Sequence, residues 1–117
     1  MERMKKCPFC GPAAEEVVIQ GRLWYGRWDR YLVSPGHLLL IPLRHVADLF
    51  EATEEEMTEL PGLLNEAKAL LDLQFHPDGF NVGVNCGKAA GQTVMHLHVR
   101  LIPRGGVRGV IPERRVS

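Results

Sequence analysis

The sequence predicts an α+β domain, with strands of a mostly antiparallel sheet around one main helix. Residues 48–75, "DLFEATEEEMTELPGLLNEAKALLDLQF", repeat apolar residues at three- and four-residue spacing, as one face of a helix does. The rest of the chain offers short β-branched, aromatic or alternating runs between Gly and Pro punctuation. At 117 residues a single domain spanning 1–117 is the default, long enough to bury a core without staples.

Residues 16–25, "EVVIQGRLWY", read as a hairpin or two short strands around Gly21. "RWDRYLVSPG" follows, with "SPG" as a turn. "HLLLIP" is a short apolar run ended by Pro42, of a length that suits a buried strand. In the helical stretch Thr53 is placed to cap, and Glu56 to complete a capping box. Leu60, Leu63, Leu64, Ala67, Leu70 and Leu71 form the apolar face. Pro61 and Gly62 fall inside it and predict an interruption there. "HPDG" ends the helix as a loop, with His76 at the surface. "FNVGVNCG" reads as a strand, "KAAGQ" as a glycine-bearing turn, and "TVMHLHVRLIP" as the next strand. Residues 104–117, rich in Gly and Pro, predict an extended tail.

Lys plus Arg number 14 and Asp plus Glu 14, so the formal net charge is zero, without the basic excess of a nucleic-acid binder. The one basic cluster, Arg104, Arg108, Arg114 and Arg115, reads as a solvated terminus. No apolar run approaches the ~18 residues of a membrane span, and "MERMKK" leads into a cysteine pair instead of the apolar core of a signal peptide. Cys7 and Cys10 are close while Cys86 stands alone, which predicts a reducing, cytoplasmic chain whose CxxC is a metal or redox motif.

Two stretches carry chemistry. In "TVMHLHVRLI" strand alternation puts His96, His98 and Arg100 on one face and Leu97, Val99 and Leu101 on the other, toward a core. Two imidazoles and a guanidinium in a row suit an anionic substrate, phosphate first. "AAGQT" adds backbone N–H groups, the Gln92 amide and the Thr93 hydroxyl as donors for charge on a phosphoryl oxygen. Two solvated strand histidines are the plain alternative. The second stretch, Cys7-x-x-Cys10, has the ligand spacing of a tetrahedral zinc site and needs two more ligands. A set drawing on His45 and His96 would tie the N-terminus to two distant strands, but spacing does not choose among His37, His45, His76, His96 and His98. A redox pair and two free thiols compete with zinc; the pair does not open a helix after a strand, as a thioredoxin-like motif does.

"CPFC", "VSPGHLLLIPLRH" and "NVGVNCGKAAGQTVMHLHVRLIPR" together resemble the histidine triad superfamily of nucleotide hydrolases and transferases, from Cys7 to about Pro112. The resemblance implies a five-stranded antiparallel sheet, a long helix, a homodimer and a nucleotide cleft beside the histidine strand. It implies that His98 attacks an α-phosphate to give a nucleotidyl-histidine, which fits nucleophilic catalysis by imidazole. It places His37 near the active-site imidazoles, Asp29 at the ribose, and Asn85, Gln92 and Thr93 near the phosphates. Relatives with the CxxC opening imply a structural zinc held by Cys7, Cys10, His45 and His96, the last also a member of the triad. The bland alternatives are a turn cap for Asp29 and a loop role for Asn85, while Cys86 reads as a small core or near-pocket residue, not a ligand.

The chain departs from the family pattern twice. Arg100 stands where the third histidine is expected; it can hold a phosphate but cannot deliver a proton. Relatives ending in "GGVRGVIPE" carry several more residues after "IPR", whereas here Arg104 joins Gly105 directly. The implied function is a nucleotide hydrolase or nucleotidyl transferase; the rival is a nucleotide-binding protein with little or no catalysis.

Overall fold

A computed structural model describes residues 7–29 and 36–105. Strands β1 (Ile19–Gln20), β2 (Trp24–Trp28), β3 (Leu38–Pro42), β4 (Gly79–Gly83) and β5 (Val99–Arg104) form one sheet in the order β1-β2-β3-β5-β4. Every pairing is antiparallel, as predicted. Helix α1 (Glu54–Phe75) packs on one face.

The all-apolar run of β3 is explained by burial from both sides. Leu38 and Leu40 join Trp24, Leu63, Ala67, Leu71, Leu97, Val99 and Leu101 in the core under α1. Leu39 and Ile41 face the other way, into a smaller cluster with Phe9 and Tyr25. Gly36, ahead of β3, has φ +82°, and a Cβ there would meet the Phe75 ring and Pro103 at 2.9 Å, so only glycine fits this turn.

The helix begins where its capping box predicts: Thr53 Oγ1 accepts from Glu56 N–H at 3.0 Å, and Glu56 Oε1 from Thr53 N–H at 2.8 Å. The expected interruption near Pro61 does not occur; α1 is continuous over 22 residues. Pro61, Gly62 and Met57 lie on the solvent side, so the carbonyl that loses its helical partner at Pro61 is open to water. Leu60, Leu63, Ala67, Leu71 and Phe75 keep the buried stripe unbroken. His76 closes the helix at φ 51°, exposed as expected, and Pro77 follows.

Glu56 is only 3 % exposed, and Arg44 reaches it through Nε at 3.1 Å and Nη2 at 3.0 Å. The Arg44 hydrogen bonds, helped by the Thr53 N–H, hold this carboxyl below its usual range. Because the folded value is depressed, the pair's contribution is present above the unfolded value of about 4.3 and is lost as pH falls through the folded one. Breaking a fully buried pair costs ~3–5 kcal/mol; the Arg44 side chain is 44 % exposed, so Arg44→Ala is expected to cost roughly 1–2 kcal/mol at pH 7. Urea unfolding at pH 7 and pH 3 checks this: the gap between variant and parent narrows at pH 3, and a gap that does not change with pH contradicts it.

Three further differences from the sequence reading involve strands. β4 stops at Gly83, so the "VNCG" half of the predicted strand is loop. β2 runs on to Trp28. The predicted strand over 93–103 begins only at Val99. Continuing the β3–β5 register would set Leu97 against Pro42, which has no N–H to give. The Leu97 N–H bonds instead to the Val46 carbonyl at 2.8 Å, and the Pro42 carbonyl takes the His96 ring. His96 and His98 thus sit on a bent segment before the ladder, while Leu97, Val99 and Leu101 still point into the core. The tail from residue 106 lies outside the described residues, and with it most of the predicted 104–117 segment.

Candidate active site and metal centre

The site lies on the sheet face opposite α1. Strand register sets its floor: Arg27 of β2 pairs with Leu39 of β3, and Leu39 with Arg100 of β5. These three side chains line a cavity of about 400 Å³. Trp28 and Asp29 close one side at the end of β2, Thr93, Val94 and His98 another, and Pro8 and Phe9 of the CPFC loop a third.

His98 is 5 % exposed. Its Nδ1–H donates to the His96 carbonyl at 2.8 Å, which leaves Nε2 with the ring's lone pair. Burial pushes this imidazole below its ordinary value; the Arg100 charge acts in the same direction, while the His96 carbonyl and Asp29 oppose. Phe9 meets the ring edge-on, with centroids 5.1 Å apart.

Next to it, Cys7, Cys10, His45 and His96 bring four ligand atoms within 4.8 Å of one another, a group that can hold a metal. Nδ1 of His96 lies 3.3 Å from Cys7 Sγ, 3.5 Å from Cys10 Sγ and 3.1 Å from His45 Nδ1. Cys10 Sγ is 3.1 Å from His45 Nδ1. The His96 Nε2–H donates to the Pro42 carbonyl at 2.9 Å, so Nδ1 turns its lone pair to the cluster, a backbone restraint common behind metal-bound histidines. The four residues named from the sequence are therefore together, and Cys86 lies apart from them.

Of the other named residues, Asp29, Thr93 and Arg100 line the cavity with His98, and His37, Asn85 and Gln92 do not. Nε2 of His37 lies 3.7 Å from Asp29 Oδ2, behind the wall, and has no hydrogen-bond partner among the described residues. Burial lowers its pKa, Asp29 opposes, and Arg100 and Arg104 lower it further. Gln92 braces loops: Oε1 accepts from Gly87 N–H at 2.7 Å, and Nε2 donates to Ala47 and Val94 carbonyls at 2.7 and 3.0 Å. Asn85 Nδ2 reaches the Gly91 carbonyl at 3.5 Å. Sequence reasoning missed Arg27, Trp28, Leu39, Val94 and the two inner residues of CPFC as cavity walls. Only Phe9, an aromatic between two metal-type cysteines, gave a local signal.

A HIT domain model matches residues 13–107. The chain belongs to the HIT domain family. It is 40 % identical over 91 residues to an AP-4-A phosphorylase of Mycobacterium tuberculosis, covering 77 % of this chain and 47 % of that one. It is 39 % identical over 93 residues to an asymmetrical bis(5'-nucleosyl)-tetraphosphatase of Schizosaccharomyces pombe, covering 80 % and 51 %. The chain thus spans about half the length of these curated relatives. The crystal structure of Plasmodium falciparum diadenosine triphosphate hydrolase superposes with a TM-score of 0.76 at 30 % identity, over 84 % of this chain and 68 % of that one. No described helix is long and apolar enough to cross a membrane.

Proposed function

We propose that this HIT domain is a nucleotide hydrolase or nucleotidyl transferase acting at an α-phosphate, with dinucleoside polyphosphates as the leading substrate class. The observation that carries the reading is His98: a buried imidazole on a cavity wall whose Nδ1–H is committed to a backbone carbonyl and whose Nε2 is the nitrogen left to attack. The Nε2–Pα bond forms as the bond to the leaving phosphate oxygen breaks, and water or phosphate then resolves the nucleotidyl-histidine. Arg100 and Thr93 would hold phosphate oxygens and Asp29 the ribose, all three from the cavity wall. His37 and Gln92 would act from behind it, by supporting Asp29 and the 87–94 loops, and Asn85 through the Gly91 carbonyl.

A structural zinc at Cys7, Cys10, His45 and His96 is part of the proposal. Zinc bonds of about 2.3 Å to sulfur and 2.0–2.1 Å to nitrogen set tetrahedral ligand edges of about 3.3–3.8 Å, and the contacts of 3.1, 3.3 and 3.5 Å are close to these. Four protein ligands leave no position for a reacting water, so the ion would hold structure and take no part in the chemistry. Purified protein is expected to carry one zinc per chain by elemental analysis and Cys10→Ser less than a fifth of that; full zinc in the variant contradicts the assignment. A cytoplasmic setting suits Cys7 and Cys10, which form no disulfide. A homodimer is the assembly the resemblance implies.

Intact-mass spectrometry, quenched soon after mixing with diadenosine tetraphosphate, tests the function. A transient gain of one adenylyl group supports it. Nucleotide binding with neither adduct nor product, with adenosine phosphoramidate tried in parallel, favours the second reading, a binding protein in which Arg100 makes the site an anion clamp.

A further inference from the structure

The CPFC loop does two things at once. Its ends, Cys7 and Cys10, belong to the metal group, and its middle, Pro8 and Phe9, lines the cavity. Phe9 is 9 % exposed and touches both functional histidines, edge-on to His96 at 6.0 Å and to His98 at 5.1 Å. Strand β2 holds the loop from the other side: Tyr25 Oη–H donates to the Phe9 carbonyl at 2.6 Å, and Arg27 Nη1 to the Pro8 carbonyl at 3.1 Å. The Arg27 guanidinium also lies 5.8 Å from the centre of the Phe9 ring.

We propose that the metal loop is a working wall of the nucleotide site: an ion at Cys7 and Cys10 seats Phe9 against His98, and so sets both nucleotide affinity and the orientation of the attacking ring. This deepens the functional reading above and rests on it. The physical basis is that Phe9 belongs to a small cluster, with Tyr25, Leu39 and Ile41 as its buried members, whereas the main core lies across the sheet under α1. Without an ion, the described contacts on the inner residues of this loop are the packing of Phe9 in that small cluster and the two carbonyl hydrogen bonds from β2. Bonds to an ion at both loop ends remove the loop's remaining freedom before the ligand arrives, which is preorganisation. The aromatic edge contact then adds a second restraint on the His98 ring beside its backbone hydrogen bond. Phe9 is thus a positioning residue, with its ring also offered to the bound nucleotide.

The test uses the zinc-loaded full chain with AMP as probe, followed by calorimetry. Zinc-loaded Phe9→Ala is expected to keep its zinc and weaken AMP binding at least tenfold, with the His98 ring resonances displaced in proton–nitrogen spectra. Phe9→Tyr is expected to restore affinity to within threefold. Stripping zinc with a chelator is expected to weaken AMP at least tenfold with the far-ultraviolet circular dichroism retained, and zinc re-addition to reverse it; if stripping unfolds the chain, the Phe9 variants decide. AMP affinity within threefold of the parent in zinc-loaded Phe9→Ala, or in folded zinc-free protein, overturns the proposal and leaves the functional reading intact. Failure of the zinc-loaded parent itself to bind AMP removes both.

Discussion

His98→Ala is expected to abolish turnover of diadenosine tetraphosphate, by on the order of 10⁴-fold or more, and to eliminate the adenylyl adduct. The size follows from the route. A covalent path divides one displacement into two, and among the described residues no other side chain lining this cavity offers a neutral nitrogen lone pair to start it. His96 cannot substitute: its Nε2–H is given to the Pro42 carbonyl, its Nδ1 faces the cysteines, and it is fully buried. Arg27 and Arg100 stay protonated and do not attack. Nucleotide binding is expected to survive, because the Arg27–Leu39–Arg100 floor and the Phe9 wall are untouched. Product formation by chromatography and intact mass after quenching give the two readouts. A variant that still accumulates the adduct would place the nucleophile elsewhere; a variant that loses product and AMP binding together would mean that His98 is mainly structural.

What could be read from the sequence was what local chemistry writes locally. The capping box of Thr53 and Glu56, the buried β3 run and the alternation of Leu97, Val99 and Leu101 all stand in the structure as their patterns imply. Pro61 misled because its effect depends on which side of the helix it occupies: on the solvent side the lost hydrogen bond is answered by water. The late start of β5 depended on Pro42, fifty-five positions before Leu97, and on a Val46 carbonyl that captures the Leu97 N–H. Long-range register explains the missed floor residues in the same way. Nothing near Arg27 says that it will pair with Leu39, and nothing near Leu39 says that it will pair with Arg100. The group that can hold a metal was half legible. The cysteine pair declares itself by spacing, but His45 and His96 meet it only through the fold, and the resemblance, not the spacing, singled them out. Gln92 looked like a phosphate donor beside a glycine turn, yet its amide is held by three backbone groups that sequence does not bring into view.

Arg100→His is expected to change which leaving group the site accepts. In the parent, Arg100 lines the cavity two residues from His98, at the start of β5. A guanidinium stabilises the charge on a departing polyphosphate but has no proton to lend at ordinary pH. A polyphosphate leaves as a stabilised anion and needs none. An amine leaving from a phosphoramidate does, and a positioned general acid is worth typically 10²–10⁴-fold in such a step. The imidazole in Arg100→His can supply that proton, while the lost cation weakens the hold on the longer polyphosphate chain. The ratio of kcat/KM for adenosine phosphoramidate over diadenosine tetraphosphate is therefore expected to rise on the order of 10²-fold in the variant. Arg100→Gln separates the two effects: it removes the charge without adding an acid, so it should weaken polyphosphate turnover and leave the phosphoramidate slow. A parent protein that already turns over the phosphoramidate faster than the tetraphosphate would show that another group delivers the proton, and that Arg100 is not what sets the preference.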